Sequence, residues 1–383
     1  MVQAGIDRIV HDDNRLLLGR NFGLVTNPTG VTRDLEPTWQ ALTRKNIGRL
    51  AALFGPEHGW SGNTQDELPV KSSVHPIVDV PVFSLYGDHR KPSPQTLDGL
   101  DALVFDIQDV GVRFYTYIST MYLCMKACAE SGISFIVLDR PNPIAGRFVE
   151  GNVLDCEYHS FLGIGPLPIR HGMTVGELAR LFNDSIHCSL EVVPMKGWSR
   201  DMFFDDTGLP WVMPSPNLPT LDTAVVYPGM CLIEGTNVSE GRGTTKPFEI
   251  IGAPWVDGYQ LARQLNALAF PGAGFRACHF VPTYGKYLGQ ECQGIQVHVV
   301  DRDVLEPVAL GLWVVNTLRT LHPERLQWRS DAGDGRENGT PMIDWLVGTD
   351  KLRLGAAPDE IIAEFRQQAA VFKEQRQQYL LYK

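Results

Sequence analysis

Residues 101–121 read DALVFDIQDVGVRFYTYISTM. The segment 102–107 is short and almost wholly apolar, which suits a strand buried on both faces of a sheet. Chemistry then crowds in, with Asp106, Gln108, Asp109, Arg113, Tyr115 and Tyr117 all within twelve positions. An apolar helical segment follows at 119–129. In an open α/β sheet, ligands bind in the crevice beyond the carboxyl ends of the strands. A strand that ends in carboxylates, an arginine and tyrosines is therefore built as one wall of a site.

On either side of this stretch, short apolar runs alternate with helical patterns. Strands are predicted at 21–26, 50–54, 82–85, 134–138 and 190–193. Helices are predicted at 38–45 and 174–184, the latter opened by a capping box of Thr174 and Glu177. Such alternation implies an α/β fold with a mainly parallel, doubly wound sheet. The strand ends run into TNPTG (26–30), GPEHG (55–59), YGD (86–88) and DRPNP (139–143). Parallel strands would gather these tips along one edge.

Residues 196–228 are rich in Pro, Gly, Trp and Asp and read as a long irregular segment, a kind usually functional inside a compact domain. Past 252 the texture changes. A helix at 259–268, strands near 275–281 and 294–300, a helix at 304–321 and a terminal amphipathic helix at 358–378 suggest a smaller α+β domain. We therefore divide the chain into 1–245, carrying most of the site, and 246–383, closing a cleft.

A chain of 383 residues exceeds the usual single core, so two domains are expected. A net charge of −10 argues against non-specific nucleic-acid binding, though a local arginine cluster can still hold a small anion. The seven cysteines show no paired framework or zinc spacing and read as buried reduced thiols. Charges interrupt the first 20 residues where a signal peptide needs an apolar core, and no apolar run reaches membrane-spanning length. As given, the chain is expected in the cytoplasm, without a nucleic-acid or membrane partner. His58, His75, His89 and His171 lack any ligand spacing, so no metal or other cofactor is expected.

Glu57 stands beside His58 at a strand end, between glycines that let a ligand approach the backbone. A carboxyl among apolar neighbours such as Phe54 and Trp60 can act as a proton donor near neutrality. It could equally cap the following turn or pair with an arginine. Asp106 and Asp109 with Arg113 could be a second acidic group and its orienting cation, or an internal ion pair closing a loop. Of Tyr115 and Tyr117, either could face a ligand, with one in the core. The loop 234–245 is glycine-rich and polar but lacks the G-x-x-x-x-G-K-[ST] of a phosphate loop. It suits a ligand or a tight connection between domains. Trp60, Trp198 and Trp211 could stack on a sugar face or pack beneath long loops.

These segments resemble a known family. The stretches GLVTNPTGV (23–31), LFGPEHG (53–59), FDIQDVGVRFYTYISTM (105–121) and LDRPNPIAG (138–146) carry the resemblance. So do IRHGMTVGELA (169–179), GLPWVMPSPNLPT (208–220), EGTNVSEGRGTTKPFE (234–249) and CQGIQVHVVDR (292–302). Together they are similar to the YbbC-like, or NamZ, family of exo-β-N-acetylmuramidases. The resemblance implies a Rossmann-like N-terminal domain, a smaller C-terminal one, and release of N-acetylmuramic acid from the non-reducing ends of peptidoglycan fragments.

It also makes Glu57, in the GPEHG motif, the leading catalytic candidate. The second group would be Asp106, Glu234 or Glu240, or else the substrate's own 2-acetamido oxygen. The lactyl carboxylate of muramic acid calls for a cation, with Arg113, Arg140 and Arg242 as candidates. His58, Tyr115 and Asn217 are further sugar contacts. Two other readings remain: a non-catalytic binder of cell-wall sugars, and an esterase or amidase, which the missing G-x-S-x-G elbow disfavours.

Overall fold

The structure is a computed structural model that describes residues 1–12, 15–45, 47–65, 68, 72–330 and 339–383. The first strands are β1 (Asn21–Thr26), β2 (Arg49–Gly55), β3 (Ser73–Val74), β4 (Pro81–Ser84), β5 (Ala102–Asp106), β6 (Ser134–Leu138) and β7 (Leu190–Val193). Among the described residues they form one seven-stranded sheet in the order β3-β4-β2-β1-β5-β6-β7. Every pairing is parallel except that of the two-residue β3 with β4.

Helices α1 (Gly5–His11), α2 (Thr38–Arg44), the single turn α3 (Pro94–Leu97), α4 (Tyr117–Ser131) and α5 (Val175–Ile186) accompany the sheet. Side chains of a strand alternate between faces, and the two cores follow that alternation. Ala102 and Val104 of β5, with Ile136 and Leu138 of β6, pack with Ile6, Ile9, Ala41 and Leu42 of α1 and α2. Leu103, Phe105, Phe135 and Val137 pack on the opposite side with Met121, Cys124 and Leu178 of α4 and α5. The doubly wound α/β arrangement expected from the sequence is therefore present. Thr174 does close the capping box with Glu177 at the start of α5.

The rest of the chain holds α6 (Leu221–Met230), β8 (Ile250–Ala253), α7 (Gly258–Ala267), β9 (Ala273–Phe280), β10 (Cys292–Val299), α8 (Pro307–Leu321), α9 (Met342–Val347), the short α10 (Lys351–Leu354) and α11 (Pro358–Gln375). Strands β8, β10 and β9 make a smaller antiparallel sheet. Helix α6 corrects the sequence reading, which left 196–228 irregular. Its Pro228 hides the helical pattern, yet every residue from Thr223 to Met230 is buried. Tertiary packing supplies what the pattern lacks. Gly229 lies so close to α8 that a Cβ there would sit 1.7 Å from the Pro307 carbonyl oxygen, so the two helices meet backbone to backbone. Among the described residues no helix is long and apolar enough to cross a membrane.

Candidate active site

The registers Val25↔Phe54 and Thr26↔Asp106 align the carboxyl ends of β1, β2 and β5. Beyond β2 the chain turns at once, with the Gly59 N–H donating to the Pro56 carbonyl at 2.9 Å. His58 adopts a left-handed backbone, φ 68°, a conformation few residues other than glycine take and one that clusters at functional sites. Its ring anchors the loop through Nδ1, 2.8 Å from the Thr64 carbonyl oxygen. A carbonyl only accepts, so Nδ1 carries the proton and Nε2 is left for further partners. Glu57, half-buried, accepts a hydrogen bond from the Thr116 hydroxyl at Oε2, 2.6 Å.

Glu57 and His58 share a small pocket with Tyr115, Asn217, Glu234 and Arg242, so six of the predicted residues line one cavity of about 60 Å³. Thr116 and Ser215 line it too. Sequence reasoning passed over both, although each sits inside a quoted motif, between two tyrosines and two positions before Asn217 respectively. Leu346 and Met342 of α9 and Phe248 close the far wall. A larger cavity of about 660 Å³ between α5 and α11 has Asp184 as its lone acidic residue and contains none of the predicted site residues. Size does not locate the chemistry here.

Four predicted residues lie elsewhere. Asp106 is paired with Arg140, not Arg113: Arg140 Nε and Nη2 donate to its two oxygens at 2.6 and 2.9 Å, and Thr38 donates as well. Both partners are buried, and neither lines the Glu57 pocket. Arg113 is no orienting cation for a carboxylate. Its guanidinium is wholly buried and donates to the carbonyls of Asn152, Leu167, Leu346 and Val347. It thereby fastens the loop after β5 to the C-terminal end of α9, and burial brings its pKa down to about 9. The reading of Asp106, Asp109 and Arg113 as one ionic group fails because strand order sets Arg140, at the end of β6, beside β5.

Glu240 also stands outside the pocket. It lines an adjoining trough of about 570 Å³ with Tyr284, Lys286, Trp328 and Arg329, and Arg242 lines both spaces. Arg242 is ion-paired to Glu234 and Glu240 together, and Lys286 Nζ lies 2.9 Å from the other Glu240 oxygen. Burial alone would push the Glu240 carboxyl up, but Lys286 and Arg242 outweigh it and hold the group well below the usual range. Glu240 is thus a permanent anion that holds Arg242 in place.

Tyr115 packs edge-on against Tyr117 and Tyr227. Burial raises the pKa of its phenol, which stays neutral. Tyr117 is fully buried and donates to the Pro214 carbonyl. Asp109 is buried behind them, its pKa raised to about 7 by desolvation, while burial brings nearby His171 down to about 3. The tryptophans pack rather than line the pocket. Trp60 lies against His75, Trp198 against Tyr382, and Trp211 against Phe204.

The N- and C-terminal family models of exo-β-N-acetylmuramidase NamZ match residues 22–222 and 225–382. The chain belongs to this family. It is 48% identical to the peptidoglycan β-N-acetylmuramidase NamZ of Bacillus subtilis (strain 168), over all of this chain and 91% of that protein. Crystal structures of two DUF1343 family proteins from Bacteroides fragilis NCTC 9343 share the fold, each covering 100% of this chain and 99% of the other. Their TM-scores are 0.90 and 0.75, at 37% and 31% identity. The NamZ-family match agrees with the resemblance carried by the motifs. Both family models contribute to the pocket: Glu57 and Tyr115 fall in the N-terminal one, Glu234 and Arg242 in the C-terminal one.

Proposed function

We infer that this chain is a glycosidase, an exo-acting β-N-acetylmuramidase that releases N-acetylmuramic acid from the non-reducing ends of peptidoglycan fragments. The observation that carries the reading is the meeting of Glu57 and Glu234 in one pocket of a NamZ-family chain. Hydrolysis of a glycosidic bond needs a proton at the leaving oxygen and a partner for the positive charge that develops on the ring. Glu57, on its rigid turn at the end of β2, supplies the proton. Glu234, ion-paired to Arg242, faces the ring. Asn217 and His58 Nε2 meet polar groups of the sugar. Of the three candidate arginines, Arg242 lines the pocket and serves the lactyl carboxylate.

A cavity of about 60 Å³ takes only the reacting end of the substrate. The rest of the glycan lies along the trough that continues past Arg242, between aromatic Tyr284 and Trp328. In this reading residues 1–245 carry most of the site and 246–383 close it, an assignment supported by Phe248, Met342 and Leu346 in the pocket wall.

The test compares wild type with Glu57→Gln on two substrates, a nitrophenyl β-N-acetylmuramide and the N-acetylmuramyl-N-acetylglucosamine disaccharide. Loss of a general acid costs roughly 10²–10⁴-fold in rate. The loss should be greater on the disaccharide, whose leaving group needs the proton more. A folded Glu57→Gln protein that turns over both at the wild-type rate removes Glu57 from its role. Saturable binding by wild type with no product over long incubation would make the chain a sugar-binding module instead.

A further inference from the structure

Among the described residues three helices begin after a threonine: α4 after Thr116, α5 after Thr174 and α6 after Thr220. Thr174 and Thr220 behave as threonine N-caps do. Their backbones are extended, with ψ of 166° and 163°, and their hydroxyls accept from the N–H groups of Glu177 and Thr223. Thr116 does neither. Its ψ is −11°, already helical, and its side chain makes no capping bond. The buried hydroxyl points the other way and donates to Glu57 Oε2 at 2.6 Å. A cap that stabilises the helix has been forgone at a helix start that reaches the pocket.

We propose that Thr116 is a positioning residue for Glu57, turning its carboxyl so that Oε1 alone is presented to the glycosidic oxygen. This rests on the reading of Glu57 as the acid. An oxygen that already accepts a short hydrogen bond is the poorer seat for a proton, so the transferable proton resides on Oε1. The rotation of the carboxyl about its last bond is removed by the same contact. Position at this level matters, because a misplacement of about 1 Å costs about 10²-fold in rate.

The experiment measures kcat and KM on the disaccharide for wild type, Glu57→Gln, Thr116→Val and Thr116→Ser, with a thermal melt of each. Valine keeps the shape and removes the donor. Thr116→Val should lower kcat by about 10–100-fold with KM changed less than about threefold. Thr116→Ser should restore kcat to within about threefold. Because Thr116 caps nothing, Thr116→Val loses only the bond to Glu57 and should melt within about 6 °C of wild type. Should the valine protein fail to fold, Thr116→Ala takes its place in the same assays. A folded variant without the hydroxyl that keeps the wild-type kcat, beside an inactive Glu57→Gln, overturns the proposal and leaves Glu57 as the acid. A fully active Glu57→Gln instead overturns the reading beneath it.

Discussion

Replacing Asp106 by Asn separates structure from chemistry at the strand that ends in it. The carboxylate accepts three donors, Arg140 Nε at 2.6 Å, Arg140 Nη2 at 2.9 Å and the Thr38 hydroxyl. An amide offers one oxygen, and its NH₂ must then face an Arg140 N–H, which has no lone pair to share, even where the Thr38 hydroxyl turns to accept. With side-chain exposures of 0% for Asp106 and 6% for Arg140, water cannot step in. Removing one partner from such a buried pair costs about 3–5 kcal/mol. At about 2–4 °C per kcal/mol for a sizeable chain, the melting temperature should fall by about 6–20 °C. Urea titration should show the midpoint falling at constant slope, the mark of a stability change. Since neither residue lines the Glu57 pocket, kcat per folded molecule should stay within about threefold. The double replacement Asp106→Leu with Arg140→Met should recover most of the loss, because apolar substitutes spare the desolvation of both charges. Two results would refute this reasoning: Asp106→Asn melting with wild type, or melting normally while kcat collapses, which would put Asp106 back at the chemistry.

Arg113→Met should destabilise by at least about 3 kcal/mol, since buried carbonyls lose their donor at about 1–3 kcal/mol each. Limited proteolysis should find 342–347 cleaved earlier in this variant, and unchanged protection there would contradict the fastening role. Asp109→Asn tests a pH effect. The folded carboxyl has its pKa raised to about 7 from 3.8 by burial, so between those values the folded state holds a proton the unfolded chain has released. Asp109 therefore contributes a stability loss that grows as pH rises from about 4 to about 7 and is complete above. The asparagine variant should show a flatter stability–pH curve, with a gain over wild type at pH 8 on the order of a few kcal/mol and little gain at pH 4. Parallel curves for the two proteins would show that Asp109 is not the titrating group.

Much of the fold was legible because it is written locally. β5 is apolar from Ala102 to Phe105, ahead of its closing Asp106, so a strand buried on both faces could be recognised from a few letters, and the even and odd residues of that run do go to opposite cores. The capping box at Thr174 involves a contact three residues long. Glu57 stood out for the same reason, a carboxylate on a glycine-flanked turn after a strand. Helix α6 was missed because its stability comes from α8 beneath it and not from its own pattern, which Pro228 breaks.

What the amino-acid sequence determined by itself was the set of elements, their alternation and the strand-end loops that carry chemistry, since these follow from periodicity and turn residues over a few positions. Only the tertiary structure decided which charged group meets which. Arg140 reaches Asp106 across 34 positions, Thr116 reaches Glu57 across 59, and Arg113 reaches the end of α9 across 233. Those partners are chosen by strand order and by how the two parts of the chain close on each other, and a side chain's reach of a few ångströms leaves no trace in spacing along the chain.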